Sequence, residues 1–373
     1  MTKELASEHG IPLSDLAPVH ARVLCQPRVV ARDGSATALV RATMAQHLAA
    51  TRLHAVEWGT MSGLNEDEYI DREMNALQST EDARNGHCGW LLVPATECDQ
   101  ENPTILASCE TFHRTGQLGE REVNVWVLTT VYVPEPHRGK GYAKDLSIQV
   151  RDHLIATNPD LGVSILFSDV GPYLYAKLGW QVYPSTSFEF RVPLTTDALP
   201  PTLPKGAEYL NTTLAMTLVR AEPPAPATDL STGRAVFTLP FTPARLAWHE
   251  AHRHFYYNHL GASRPDRRSA LAPYGTDTVG ARIGDAHIAW FHHPSLGGDG
   301  RGTLFVLHVH AESVDVAAAL LQIAAEHAVF CGLGVVEVHC ADESVLGGGA
   351  GRRACARCGR RMGGCTTCRN TTV

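Results

Sequence analysis

The stretch RGKGYA (Arg138–Ala143) sets two glycines and two cationic side chains between a β-branched run and a helix-like run. Glycine lets a backbone turn tightly and aim several N–H groups at one point. The start of a helix adds partial positive charge there, and Arg138 and Lys140 add full charges. This is the chemistry of an anion cradle. A Walker loop is excluded, because Lys140 precedes the second glycine and no Ser or Thr follows it. The dinucleotide pattern G-x-G-x-x-G fails at position 144, which is lysine. A Gly-x-Gly turn can equally serve close packing alone, so the neighbouring sequence must decide.

The turn fits R-x-x-G-x-A, the pyrophosphate loop of acetyl-CoA-dependent N-acyltransferases. Downstream, YAKLGW (Tyr175–Trp180) resembles the Y-x-x-x-G-[FW] stretch of the same superfamily, GNAT. Two half-motifs in order carry far more weight than either alone. WGTMSGLNEDEYIDRE, ILASCET, LFSDVGPYLYAKLGW and HEAHRHFYYNHL extend the likeness from about Leu53 to Val345, where the chain resembles the fungal L-lysine N6-acetyltransferase family. The resemblance implies a GNAT acyltransferase domain with a central mixed sheet, followed by a degenerate GNAT-like α/β domain. It also implies fungal origin, acetyl-CoA as donor and free L-lysine as the favoured acceptor.

Acetyl transfer to an amine requires a bound thioester, a neutral amine, a stabilised oxyanion and a proton for the departing thiolate. The resemblance assigns the loop Arg138, Gly139, Lys140, Gly141, Tyr142 and Ala143 to the pyrophosphate. It gives the backbone of Val131 and Val133, at the end of a splaying strand, to the pantetheine arm and thioester. It makes Tyr175 the phenol that protonates the thiolate, with Tyr173 as a second phenol nearby. Glu110 and Glu73 are candidates to bind the substrate ammonium or take its proton. Glu73 reads equally as a solvated acid on a helix, and Asp169 reads as a crevice residue or a helix cap. No activated cysteine is evident, so direct attack of the amine is expected. Other acceptors, such as a polyamine or a secondary-metabolite intermediate, stay open, as does a non-catalytic acyl-CoA-binding module.

These residues need strands and helices to position them. Ala36–Ala50 and Leu64–Leu77 have helical spacing, while Cys88–Pro94, Thr104–Phe112 and Val123–Pro134 are β-prone. A helix then follows the glycine turn, and VSILFSDV, GPYLYAKLGW and QVYPSTSFEF read as strand, helix and strand. The expected division is a GNAT domain over 1–192, a Pro/Thr-rich linker over 193–232 with a weak element around Ala207–Arg220, and a GNAT-like domain over 233–346. The second domain opens on a helix capped by Thr242 and Pro243, and its strand–helix–strand run lacks any glycine-rich turn.

The chain has 373 residues, 44% hydrophobic and 19% charged, with net charge −7. That net charge argues against nucleic-acid and membrane-surface partners, and the resemblance implies a small-molecule amine substrate. The N-terminal residues lack a secretory pattern and no long apolar span occurs, so a cytoplasmic protein is expected. Composition does not speak to oligomeric state. Cys25, Cys88, Cys98, Cys109, Cys331 and Cys340 are expected as small reduced core residues. Adjacent histidines (His252 and His254, His292 and His293, His308 and His310) suggest surface or interdomain positions more than a metal site. The tail 347–373 is rich in Gly, Arg and Cys and carries no acid. Its pairs Cys355/Cys358 and Cys365/Cys368 have the donors of a four-thiolate zinc site but a spacer shorter than the usual roughly fifteen residues. The tail is expected to be without structure in the absence of metal.

Overall fold

The computed structural model describes residues 28–30, 34–84, 86–158, 161–168, 170–171, 173–182, 184–193, 201–221, 236–263, 277–293, 302–340 and 366–372. They build an α/β protein with two mixed sheets. In the first sheet, β1 (Arg28–Val30), β2 (Ala36–Arg41), β3 (His87–Pro94), β4 (Ala107–Leu118), β5 (Arg121–Tyr132) and β6 (Leu161–Leu166) lie side by side in chain order. Helices α1 (Met44–His54), α2 (Glu66–Ile70) and α3 (Glu81–Arg84) fill the connection from β2 to β3. Each of α1 and α2 runs on into a π-helical turn, Ala55–Gly59 and Asp71–Leu77. Neighbouring strands are antiparallel as far as β5. The pair β5–β6 is parallel, which demands a crossover, and α4 (Tyr142–Thr157) supplies it.

The helix expected over Ala36–Ala50 is in fact a strand and a helix. Thr43 separates them with a capping box: its hydroxyl accepts from the Gln46 N–H at 3.2 Å, and its own N–H donates to Gln46 Oε1 at 3.0 Å. On α4, Leu146, Val150 and Leu154 form a buried stripe that packs with Trp90, Leu92 and Ala107 of the sheet.

The second sheet runs β14 (Thr366–Thr372), β7 (Pro184–Arg191), β13 (Val335–Cys340), β12 (Thr303–His310), β11 (Ala286–His293), β10 (Thr278–Ile283) and β8 (Ala207–Asn211). The remaining helices are α5 (Tyr173–Ala176), α6 (Thr212–Ala221), α7 (Pro243–Ser263) and α8 (Val314–Phe330). Here the parallel pair is β12–β13, bridged by α8.

Both expected domain limits are crossed. β7 lies before residue 192 yet pairs with β13 and β14, and β9 (Phe237–Thr238) returns from the second segment to pair with β4. Alternating burial marks a segment as a strand, but only tertiary pairing decides which sheet it completes. The stretch expected as linker contains β8 and α6, whose Leu210 and Ala215 are buried. Within the tail, Thr366–Thr372 is a strand on the otherwise open edge of β7, while Cys355, Cys358 and Cys365 lie outside the described residues. Cys88, Cys109 and Cys331 are free and buried. Cys98, expected reduced, is disulfide-bonded, at the end of the 3-10 turn that follows β3. Among the described residues, no helix is long and apolar enough to cross a membrane.

The two units share one core. Ala55, Leu64 and Tyr69 of the first pack into the cluster that holds Phe255 and Tyr256 of α7 and Trp290 of β11.

Candidate active site

The last paired residues of β5 and β6 are Leu128 and Leu166. Beyond them β5 continues without β6, and its ladder to β4 slips as well. Ser108 faces Tyr132 and Glu110 faces Thr129, so Thr130 and Val131 together oppose Cys109. Thr130 has φ 53°, the one positive φ on a non-glycine residue in the described structure. A β-bulge of this kind bends a strand and frees backbone groups from the ladder. Val131 and Val133 therefore sit where the sheet opens, and the carbonyl of Val133 accepts from Arg138 Nε at 3.0 Å.

The glycine turn follows directly. Gly139 and Gly141 have φ 79° and 92°, and a Cβ on either would meet nothing within 4 Å. Their backbone conformation requires glycine, and the space around them is open. Gly141 is the N-cap of α4 and offers no side-chain cap, so the helix start is left to whatever anion arrives. Arg138 also donates to Glu57 Oε2 at 2.9 Å, bracing the turn against the π-helical turn after α1. Tyr142 is buried against α4's core and Ala143 follows it, so both serve the turn through position and backbone.

Glu110 lies next to the bulge among three histidines. His87 Nε2 is 3.2 Å from Glu110 Oε2, an ion-pair contact without hydrogen-bond alignment. His47 reaches this point because its partner on β3 is Gly89, where a Cβ would come within 3.0 Å of the His47 ring. Donor atoms of His47, His87 and Glu110 lie within 4.8 Å of one another. Burial pushes the Glu110 carboxyl up, but His87, His47 and His54 outweigh it and bring its pKa to about 2. Burial lowers His47, and lowers His54 to about 4. The result is a fixed carboxylate flanked by neutral imidazoles at His47 and His54 near pH 7, a setting for a cation. His54 Nε2 is 2.8 Å from the Ser108 hydroxyl, and its ring meets those of Trp58 and Tyr132 edge-on.

Glu73 sits on the π-helical turn after α2, and its charge and that of Glu110 act on each other. Arg72 grips it through Nε at 2.8 Å and Nη2 at 2.7 Å. Burial still raises the Glu73 carboxyl, with Arg72 opposing. Two carboxylates are thus pushed apart, one toward protonation and one away from it. Arg72 Nη1 also donates to the Tyr256 hydroxyl of α7, tying the acid to the second unit.

Tyr175 is buried within the α4 core cluster, its ring edge-on to Trp180 at 6.1 Å, whereas Tyr173 is 78% exposed. Asp169 lies outside the described residues. Among the expected histidine pairs, His308 and His310 both pack against the His287 ring, and His252 is buried while His254 is exposed. His47, His54, His87, Trp58, Ser108 and Tyr256 escaped sequence reasoning. The seven-residue spacing of His47 and His54, one face of a helix, was the available signal.

An antiparallel meander, a bulged strand, a parallel crossover and an uncapped glycine turn bearing R-x-x-G-x-A now stand together. The first unit is thus a mixed α/β sheet whose parallel crossover helix starts on that turn. No family model matches the chain. Over 147 residues it is 31% identical to a protein named lysine acetyltransferase from Yarrowia lipolytica, a match covering 34% of this chain and 35% of that protein. The chain thus matches about a third of that relative's length. Among solved structures, it is similar to a GCN5-related N-acetyltransferase from Kribbella flavida, with TM-score 0.45 and 15% identity over 83% of this chain and 65% of that one. It is also similar to Eis1 from Mycobacterium abscessus, with TM-score 0.46 and 13% identity over 90% and 72% of the respective chains.

Proposed function

We propose that the protein is an acetyl-CoA-dependent N-acetyltransferase that acts on a small primary amine, with the ε-amine of free L-lysine as first choice. The observation that carries this reading is the uncapped start of α4 beside the β5 bulge, with Glu110 held ionised one strand away. The acetyl-CoA pyrophosphate would take the N–H groups around Gly139–Ala143, with Lys140 adding charge. Its pantetheine arm would run along Val131 and Val133, with a freed N–H polarising the thioester carbonyl.

In this mechanism Glu110 holds the substrate ammonium and Glu73, the carboxyl raised by burial, takes one proton to leave a neutral amine. The nitrogen lone pair attacks the carbonyl carbon; the C–N bond forms and the C–S bond breaks. Tyr175 gives its proton to the departing thiolate and recovers one from the nitrogen, so the sum is amide, free thiol and one proton. The likeness to a protein named lysine acetyltransferase supports a lysine amine over other amines, and the choice of free lysine is this proposal's own.

The test is thiol release from acetyl-CoA against free L-lysine, polyamines and lysine peptides. Release with free lysine above the rest is expected. Release with a polyamine alone would replace the acceptor, and no release despite measurable coenzyme A binding would overturn the catalytic reading.

A further inference from the structure

Three metal-ligating side chains converge inside the second unit. His327 lies in the last turn of α8 and Cys331, four residues on, is its C-cap, and His292 projects from β11 toward them. His292 Nε2 lies 2.9 Å from His327 Nε2, and the Cys331 sulfur lies 3.4 Å from that same nitrogen. All three donor atoms fall within 4.8 Å of one another, and all three residues are buried. The Tyr209 ring on β8 packs against His327 at 5.5 Å, and its buried hydroxyl has no hydrogen-bond partner. The Trp290 ring covers another side at 5.1 Å.

The geometry points to a structural metal site: His292, His327 and Cys331 bind one zinc-type ion, with the Tyr209 oxygen or a water as fourth ligand. Two imidazoles and one thiol are borderline-to-soft donors, which select zinc over calcium or magnesium. A helical i, i+4 pair plus one strand residue offers three directions of approach to a single point. On binding, the Cys331 thiol gives its proton to solvent and the thiolate joins the metal. The guanidinium of Arg253 acts on both His292 and Cys331, but Glu250 pairs it at 2.6 Å, so it does not leave a net positive wall. The site is closed to solvent and fastens α8 to β11. Its part is structural rather than catalytic.

Because the site is enclosed, metal must enter during folding. The full chain is therefore unfolded, stripped with chelator and refolded with Co²⁺. To remove the competing thiols, Cys355, Cys358, Cys365 and Cys368 are replaced by serine throughout. We expect one cobalt per chain, a thiolate-to-cobalt charge-transfer band with tetrahedral d–d absorption, and quenched tryptophan emission. Cys331→Ser in the same background should lose the charge-transfer band, and His327→Gln should lose the bound metal. If either variant fails to fold, the unsubstituted site still decides: the serine-tail protein should melt higher after refolding with Zn²⁺ than with chelator. Absence of bound cobalt in the serine-tail protein, or a band that survives Cys331→Ser, overturns the proposal.

Discussion

The two units each contain a parallel strand–helix–strand crossover, β5–α4–β6 and β12–α8–β13, and they treat the start of the helix in opposite ways. At α8, Ser313 is an extended N-cap whose hydroxyl accepts from the Val316 N–H at 3.3 Å. The helix thereby satisfies its own end. At α4 the N-cap is Gly141, with no side-chain cap, behind a second left-handed glycine and two cationic residues. The strands are more alike. β5 bulges at Thr130 and runs on past its last pair with β6, and β12 shifts register against β11 at Leu307 and runs on past Val306, its last pair with β13. The contrast lies in the left-handed glycines and in the helix starts, one without a side-chain cap and one satisfied by Ser313. The capped helix is apolar, burying Leu320, Ile323 and Ala324.

If the open crossover is the catalytic one, substitutions near it should separate turnover from folding. Tyr175→Phe should cost the most, about 10²-fold or more in kcat, the range for losing a positioned proton donor. Coenzyme A affinity, read by calorimetry, should hold. An unchanged kcat would remove Tyr175 from the reaction. Glu110→Gln deletes the carboxylate that would meet the ammonium, worth about 1.5–3 kcal/mol, or roughly 10- to 100-fold in the amine KM. The KM for acetyl-CoA should not move, and a change there instead would place Glu110 on the donor side. Gly141→Val forces a side chain into left-handed backbone at a cost of roughly 1–2 kcal/mol. It should also crowd the anion, so coenzyme A affinity should fall by about tenfold or more; unaltered affinity would mean the turn binds no pyrophosphate.

The turn, α4 and the second crossover were legible because each is local: a glycine pattern, a 3.6-residue stripe, a β-branched run. Glu110 was legible as a carboxylate amid apolar strand residues, which demands partners. The partners themselves were not. His47 and His54 sit on a helix whose start was masked by the run from β2 into α1, and His87 belongs to a strand that meets them only through sheet pairing. Tyr256 reaches Arg72 from 184 positions away. Nor does any period in PSTSFEFR say that β7 completes the second sheet. The i, i+4 spacing of His327 and Cys331 was readable, but only the fold adds His292.

Acid should test the buried histidine beside the bulge. His54 is neutral in the folded protein, its pKa lowered by burial from 6.5 to about 4. A depressed pKa gives stability that is complete above pH 6.5 and lost as pH falls through about 4. His54→Gln should keep a hydrogen bond to Ser108 and remove this loss. Its melting temperature should then fall less than that of the parent between pH 6.5 and 4. An equal fall in both proteins would show that His54 does not set the acid limit of the first unit.

Ser313→Ala offers the smallest effect and the sharpest contrast. Loss of this cap should destabilise the protein by about 1 kcal/mol, seen as a lower denaturation midpoint in urea. It also uncaps α8, so both helices would then begin without a side-chain partner. If an uncapped helix start were enough to bind the donor, coenzyme A stoichiometry would rise above that of the parent. We expect no such rise and unchanged thiol release, because no glycine pair at the start of α8 turns the backbone N–H groups toward one point. On the proposed reading the anion site needs the left-handed glycines and the open helix start together, and only the first crossover holds both.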